Sequence, residues 1–313
     1  MDDIRLLTKI ATLYYEGGLN QQEIGERLGI SRQTVSRHIN RSLQVGIVSI
    51  KINSSPEYSP ELEFQLENAF NLSEVIVVKP PADTEEAVKE ALGKAAADFM
   101  YRRVLPNDVI GVAWSSTVLQ CAIHLQRKES RKVKVVSLNG SMDRTSYSTR
   151  AEYIIEQIAG AFDGSTISLV APMFVDSPSI KNSLLSDSRI AATLELAKES
   201  KLALFGVGNV SKNSNLYKTG YMDDHLLEKL KAVGAVGEIC GRFFDAQGNI
   251  CLKELNERTI AVELDTLKNK RVSASIAAGK DKVDAIRGML AGKYCNVLIT
   301  SEDTAKQILL TVR

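Results

Sequence analysis

The 313-residue chain is 44% hydrophobic and 25% charged, carries a net charge of +1 and has no low-complexity tract or short repeat, which excludes a disordered or fibrous protein. Its length exceeds the usual single domain, so one large domain with a small appended module, or two comparable domains, is the expectation. No apolar run is long enough to cross a bilayer, Met1-Asp2-Asp3-Ile4-Arg5 is not a basic leader, and Cys121, Cys240, Cys251 and Cys295 stand far apart; a cytoplasmic protein without a membrane segment or a metal cage is predicted.

The first predicted helix covers 5–16, where Leu6, Ile10, Leu13 and Tyr14 recur at helical spacing until Gly17-Gly18 stops it. Asn20 is placed to cap a second helix that turns Ile24 and Leu28 inward, and Gly29 allows a sharp turn. Ser31 then caps a third helix that buries Val35 and Ile39. After it, VGIVSIKI (45–52) alternates weakly, as a short strand or wing does.

Two capped helices around one glycine fit a helix-turn-helix, whose second helix lies in the major groove and needs an outward face free of carboxylates. Between Glu26 and Glu57 there is no Asp or Glu, while Arg27, Arg32, Arg37, Arg41 and Lys51 supply positive charge. With Val35 and Ile39 inward, the helical rotation turns Gln33 and Arg37 outward as base readers, flanked by Thr34, Ser36, Asn40 and Arg41. Ser31, Thr34, Ser36 and the helix start, with Arg32, suit phosphate. The competing reading is a helical hairpin with a solvated basic face, and His38 reads as a packed structural histidine.

NSSPEYSPE marks a linker, so the expected domains are 1–54 and 55–313. A helix near Glu61 to Phe70 follows it. Beyond lie β-rich runs at 74–78, 108–114, 133–138, 202–208, 271–279 and 296–300, alternating with helical segments near 84–103, 116–127, 150–161, 189–199, 223–232, 281–291 and 302–310. This alternation predicts a Rossmann-like α/β domain with a largely parallel sheet, which binds ligands at the carboxyl ends of its strands.

One such end gives Ser115-Ser116-Thr117 ahead of a helix, a place for an anion or for simple capping. A second gives Asn139-Gly140-Ser141, which can approach a ligand or merely turn the chain. A third holds Gly206-x-Gly208-x-x-Ser211, which lacks the last glycine of a dinucleotide fingerprint. Farther on, Asp245 beside Phe243-Phe244 can accept from sugar hydroxyls and Lys282 at a helix start can pair with phosphate, although each also suits a solvated turn.

In this order YYEGGLNQQEIGERLGISRQTVSRHI, GVAWSST, LNGS, GVGNVS, GAVGEICGRFFDAQGN and the closing AGKDKVDAIRGMLAGKYCNVLITSEDTAKQIL resemble the SorC family of bacterial transcription regulators over nearly the whole chain. The resemblance implies a small winged helix-turn-helix domain joined to a sugar-phosphate-sensing domain similar in fold to ribose-phosphate and glucosamine-phosphate isomerases. It further implies a cytoplasmic homo-oligomer, dimer or tetramer, that binds operator DNA and controls a carbohydrate or nucleoside catabolic operon under a phosphorylated sugar, with no other cofactor; a repressor is the expectation, with activator left open. Carried over by motif, the effector contacts are Ser115, Ser116, Thr117, Asn139, Gly140, Ser141, Asp245 and Lys282. The chain departs from the family pattern at Ser115, at Gly140-Ser141 and at Gly279-Lys280, where the family shows glycine or Gly-Gly, and Asn139 cannot form an imine with an aldehyde sugar. The rival expectations are a sugar-phosphate isomerase using Asp245 or Glu238 as base, and a DNA-binding assembly factor without effector.

Overall fold

The computed structural model describes residues 3–51, 57–128, 130–141 and 151–310. The chain divides into two compact units, Met1–Ser54 and Ser55–Arg313, and the join itself lies outside the described residues.

In the smaller unit, α1 (Ile4–Ala11) runs on through a π-helical turn, Thr12–Glu16. Asn20 starts α2 (Gln21–Leu28) with a reciprocal cap: its side chain accepts from the Gln22 and Glu23 N–H groups while the Glu23 carboxylate accepts from the Asn20 N–H at 2.8 Å. Gly29 ends that helix at φ 69°, a left-handed conformation that glycine adopts without strain. Ser31 accepts from the Thr34 N–H and opens α3 (Arg32–Gln44). Ile10, Ile24, Val35 and Ile39 meet in the core, with Leu6, Leu13, Tyr14 and Leu28 packed around them. Helices this short are marginal alone, and burying each such side chain contributes about 1.5–3 kcal/mol, so the three hold one another. The expected wing is not seen: residues 45–51 form a turn and coil rather than a strand, with the Val48 N–H returning to the Ser42 carbonyl, and Ile52 lies outside the described residues.

Among the described residues the larger unit has ten strands: β1 (Glu74–Val78), β2 (Val109–Val112), β3 (Lys134–Ser137), β4 (Ser165–Ile167), β5 (Leu202–Phe205), β6 (Gly208–Asn209), β7 (Ala235–Ile239), β8 (Arg242–Asp245), β9 (Val272–Ile276) and β10 (Val297–Ser301). Seven form one parallel sheet in the order β1-β10-β9-β5-β2-β3-β4. Its inner strands are largely apolar and buried on both faces because helices cover both, with buried polar exceptions such as Ser273, Ser275 and Thr300. Helices Glu85–Arg103, Ser116–His124 and Ala151–Ala161 pack on one side through Leu92, Phe99, Met100, Val118 and Ile158. On the other, Pro60–Phe70, Ser188–Glu199, Val283–Ala291 and Glu302–Leu309 pack through Leu66, Ala197, Ile286, Met289 and Ile308. From β2 the chain builds outward through β3 to β4, then returns to place β5 on the other side of β2, so the strand order reverses there.

A three-stranded antiparallel sheet, β6-β7-β8, stands apart from the parallel one. Arg242 at the start of β8 is 1% exposed, and its guanidinium donates to the Val262 and Ala261 carbonyls at 2.8 and 2.9 Å, to Asn256 and to the Glu263 carboxylate at 2.7 Å. It thereby ties this sheet to the 256–263 segment.

Candidate functional site

The strand register assembles the site. Val112 of β2 lies opposite Ser137 of β3 and Leu204 of β5, and Ile276 of β9 lies opposite Ile299 of β10. The residues just past these strand ends therefore form one row, and they line a cavity of about 790 Å³ that includes Lys79, Trp114, Ser115, Asn139, Gly206, Gly279 and Ser301. Glu238 of β7 and Asn209 of β6 wall it from the antiparallel sheet. A site of this size at the reversal of strand order suits a small polar metabolite.

Of the residues singled out by sequence, Ser115, Ser116, Thr117, Asn139 and Lys282 line this cavity. The three hydroxyls are not equivalent. Ser115 Oγ accepts from the Val118 N–H at 3.0 Å, and Thr117 Oγ1 donates to the Ile276 carbonyl at 2.8 Å, which leaves Ser116 as the hydroxyl uncommitted within the turn. Asn139 is 4% exposed, donates through Nδ2 to the Gly140 carbonyl and faces Met173 Sδ, while its buried Oδ1 has no partner among the described residues.

Gly140, Ser141 and Asp245 do not line the cavity. The Gly140 N–H donates to the Ile260 carbonyl, Ser141 pairs with the 171–173 segment, and a Cβ at 140 would stand 2.5 Å from the Ala171 carbonyl oxygen. The glycine there serves the approach of two backbones. Asp245 accepts from the Gln247 and Asn249 N–H groups at 2.9 and 2.8 Å and from Asn249 Nδ2, so its carboxylate closes its own hairpin turn, holding its pKa low despite an opposing desolvation effect.

Lys282 ends a 3-10 turn, Lys280–Lys282, at the start of helix Val283–Ala291. The turn is held from two sides: Asn209 Nδ2 donates to the Asp281 carboxylate at 2.6 Å and to its carbonyl at 3.1 Å, and the Gly279 N–H donates to Thr304 Oγ1 at 2.9 Å. Burial lowers the Lys282 pKa, against the attraction of Asp281 and Glu238, and burial raises that of Glu238, whose other oxygen accepts from the Gly241 N–H at 2.9 Å. A cation and a carboxylate thus share the cavity in half-dry surroundings. Among the lining lysines Lys89 pairs with Glu85, whereas Lys79, Lys218, Lys280 and Lys282 have no carboxylate within ion-pair distance among the described residues. Trp114, Lys79, Lys218 and Asn209 were not singled out by sequence; a lysine directly after an apolar parallel strand, as Lys79 follows β1, is the signal that could have found one of them.

In the smaller unit Ser31, Arg32, Gln33, Arg37, Asn40 and Arg41 are exposed along α3, and Thr34 and Ser36 are half-buried. Ser31 Oγ and Thr34 Oγ1 stand 2.8 Å apart at the helix start. His38 is half-buried on the flank of this helix.

The sugar-binding domain family matches residues 54–310, and region 4 of sigma-70 factors matches residues 9–45, from the end of α1 through α3. The deoxyribonucleoside regulator of Bacillus subtilis is 36% identical over 304 residues, covering 97% of each chain. The chain belongs to the SorC family of transcriptional regulators. Other members are similar along their whole length. The sorbitol operon regulator of Klebsiella pneumoniae is 31% identical over 98% of both chains, and the crystal structure of that full-length SorC protein superposes with a TM-score of 0.77 over 99% of each at 30% identity. The sor operon regulator structure from Shigella flexneri matches 80% of this chain with a TM-score of 0.74 at 27% identity. These SorC-family relatives are regulators, so the isomerase reading of the parallel sheet falls and this chain is a transcriptional regulator with a helix-turn-helix and a sugar-binding domain. Among the described residues no helix is long and apolar enough to cross a membrane.

Proposed function

We propose that this SorC-family chain is a cytoplasmic repressor of a carbohydrate or nucleoside catabolic operon, released from its operator by a phosphorylated sugar. The cavity carries the reading: four lysines without carboxylate partners among the described residues, a serine turn at a helix start and a half-buried carboxylate stand around one space of about 790 Å³. Lys282 and Ser116 take the phosphate, and Glu238 and Asn139 take hydroxyls. Exposed α3 presents Gln33 and Arg37 to base edges, with Ser31, Arg32, Thr34, Ser36, Asn40 and Arg41 on phosphate or beside it.

The cavity has one wall from the parallel sheet and one from the antiparallel sheet, so a ligand that grips both favours the arrangement in which they close on it. A ligand that prefers one arrangement about a hundredfold shifts the equilibrium by about 2.7 kcal/mol, enough to change operator occupancy. Such control is exercised on a homo-oligomer, dimer or tetramer, whose paired reading helices match paired half-sites.

The test is a thermal-shift screen of phosphorylated sugars on the full chain, followed by gel retardation of its own promoter fragment. A sugar phosphate that raises the melting temperature and releases the fragment is expected. Retardation with no response to any sugar phosphate refutes the effector reading, and turnover of a sugar phosphate at ordinary enzyme rates refutes the sensor reading.

A further inference from the structure

Lysines of the larger unit fall into distinct groups. Those on exposed helices are mostly paired within their own helix, as in Lys94–Glu90, Lys231–Glu228 and Lys306–Glu302. Lys270 is buried and donates to the carbonyls of Ala197, Lys198 and Ser200. The cavity holds one unpaired set. A second set, Lys128, Lys132, Lys134 and Lys201, is exposed at the opposite end of the parallel sheet, and none has a carboxylate partner among the described residues.

Three carboxylates at that end are already occupied by arginines, while exposed Glu199, two residues before Lys201, has no ion-pair partner among the described residues. Glu74 meets Arg102 at 2.6 Å, Asp163 meets Arg127 at 2.8 Å, and Asp108 meets Arg271. The sequence agrees: residues 101–134 hold seven Lys or Arg against two Asp or Glu. The end is continuous, because the Lys134 N–H donates to the Asp108 carbonyl, the Lys201 N–H to the Val109 carbonyl and the Val272 N–H to the Lys201 carbonyl. Strands lie about 4.8 Å apart, so β3 and β5 on either side of β2 set Lys134 and Lys201 about 10 Å apart. Lys132 is held at φ 48°, where glycine or asparagine would be unstrained, by an N–H bond to the Phe162 carbonyl at 3.0 Å.

We propose that this strand-start end of the larger unit is a second DNA-contacting surface, which takes the phosphate backbone of duplex DNA without reading bases. Lysines act on phosphate as point charges that need no fixed geometry, as a contact without sequence preference requires. Duplex DNA carries one charge for about every 1.7 Å of axis, so an end of this width faces several phosphates.

The experiment measures how the affinity of the full chain for a mixed-sequence duplex of about 60 base pairs falls with salt. Each lost phosphate contact removes about 0.9 from the slope of log K against log salt, so K128Q/K132Q/K134Q/K201Q is expected to lower it by about 2 to 4. The control K94Q/K229Q/K231Q/K306Q removes as many charges from paired positions and is expected to leave the slope near that of the wild type. Equal slopes for the two quadruple variants overturn the proposal. So does a change in oligomeric state without a change in slope, which assigns these lysines to contacts between copies. R37A/R41A lowers the slope in every background, which separates failure here from failure of the helix-turn-helix reading.

Discussion

Replacing Arg242 with Met should destabilise the larger unit by about 3–5 kcal/mol, whereas replacing its ion-pair partner Glu263 with Gln should cost less than about 1 kcal/mol. The asymmetry follows from where the two groups sit: the arginine side chain is fully buried, while that of Glu263 is 56% exposed. Without Arg242, the Val262 and Ala261 carbonyls and Asn256 lose their donor inside the protein, and each buried orphan costs about 1–3 kcal/mol. Methionine fills much of the volume but donates nothing. A glutamine at 263 still accepts from the guanidinium, and the carboxylate it replaces was largely solvated. Trp114 is the chain's single tryptophan and lines the cavity, so its fluorescence during urea unfolding follows the larger unit alone. An R242M loss below about 1 kcal/mol, or an E263Q loss equal to it, refutes the argument that the carbonyls rather than the ion pair carry the cost.

Lys282→Ala is expected to abolish release of DNA by the effector while leaving affinity for DNA unchanged without it, read by gel retardation with and without a sugar phosphate; unaltered release removes Lys282 from the site. Arg37→Ala should relax preference at one operator position and Arg41→Ala should weaken all sequences evenly, checked by binding to an operator library; the same sequence-blind loss from both contradicts the assignment. Glu238 has a raised pKa from burial, so its charge is a penalty above that raised pKa and no penalty below the ordinary carboxylate range. Glu238→Gln should therefore melt higher than the wild type at pH 7, with the gap closing as the pH falls toward about 4; a gap that widens on acidification refutes the sign.

The helix-turn-helix was readable because each of its joints is made by a residue with one strong local preference: Asn20 and Ser31 cap, and Gly29 takes the left-handed turn. The inner parallel strands were readable because covering both faces leaves apolar runs such as Leu202–Phe205. β4 was not: it is three residues long, at the sheet edge, with Ser165 and Thr166 in place of an apolar run. The antiparallel sheet was missed because Gly237 and Glu238 interrupt the apolar run and Asp245 reads as a turn residue, and only the pairing of β7 with β8 makes them strand residues. VGIVSIKI carried the alternation of a strand, but no partner strand meets 45–51. At the cavity, residue type alone could not separate Ser116, uncommitted within its turn, from Thr117, whose hydroxyl is spent on Ile276. Nor could it tell that Gly140 serves two backbones meeting and that Asp245 closes its own hairpin.

The cavity draws its walls from residues as far apart in the chain as Lys79 and Thr304. A binding space built that way exists only once nearly the entire larger unit has folded, and a nascent or proteolysed fragment lacks it. Any metabolite that occupies it at a hundred times its dissociation constant therefore shields the whole unit by about 2.7 kcal/mol. Occupation of the cavity therefore also slows attack by proteases that cut only the opened form of the unit.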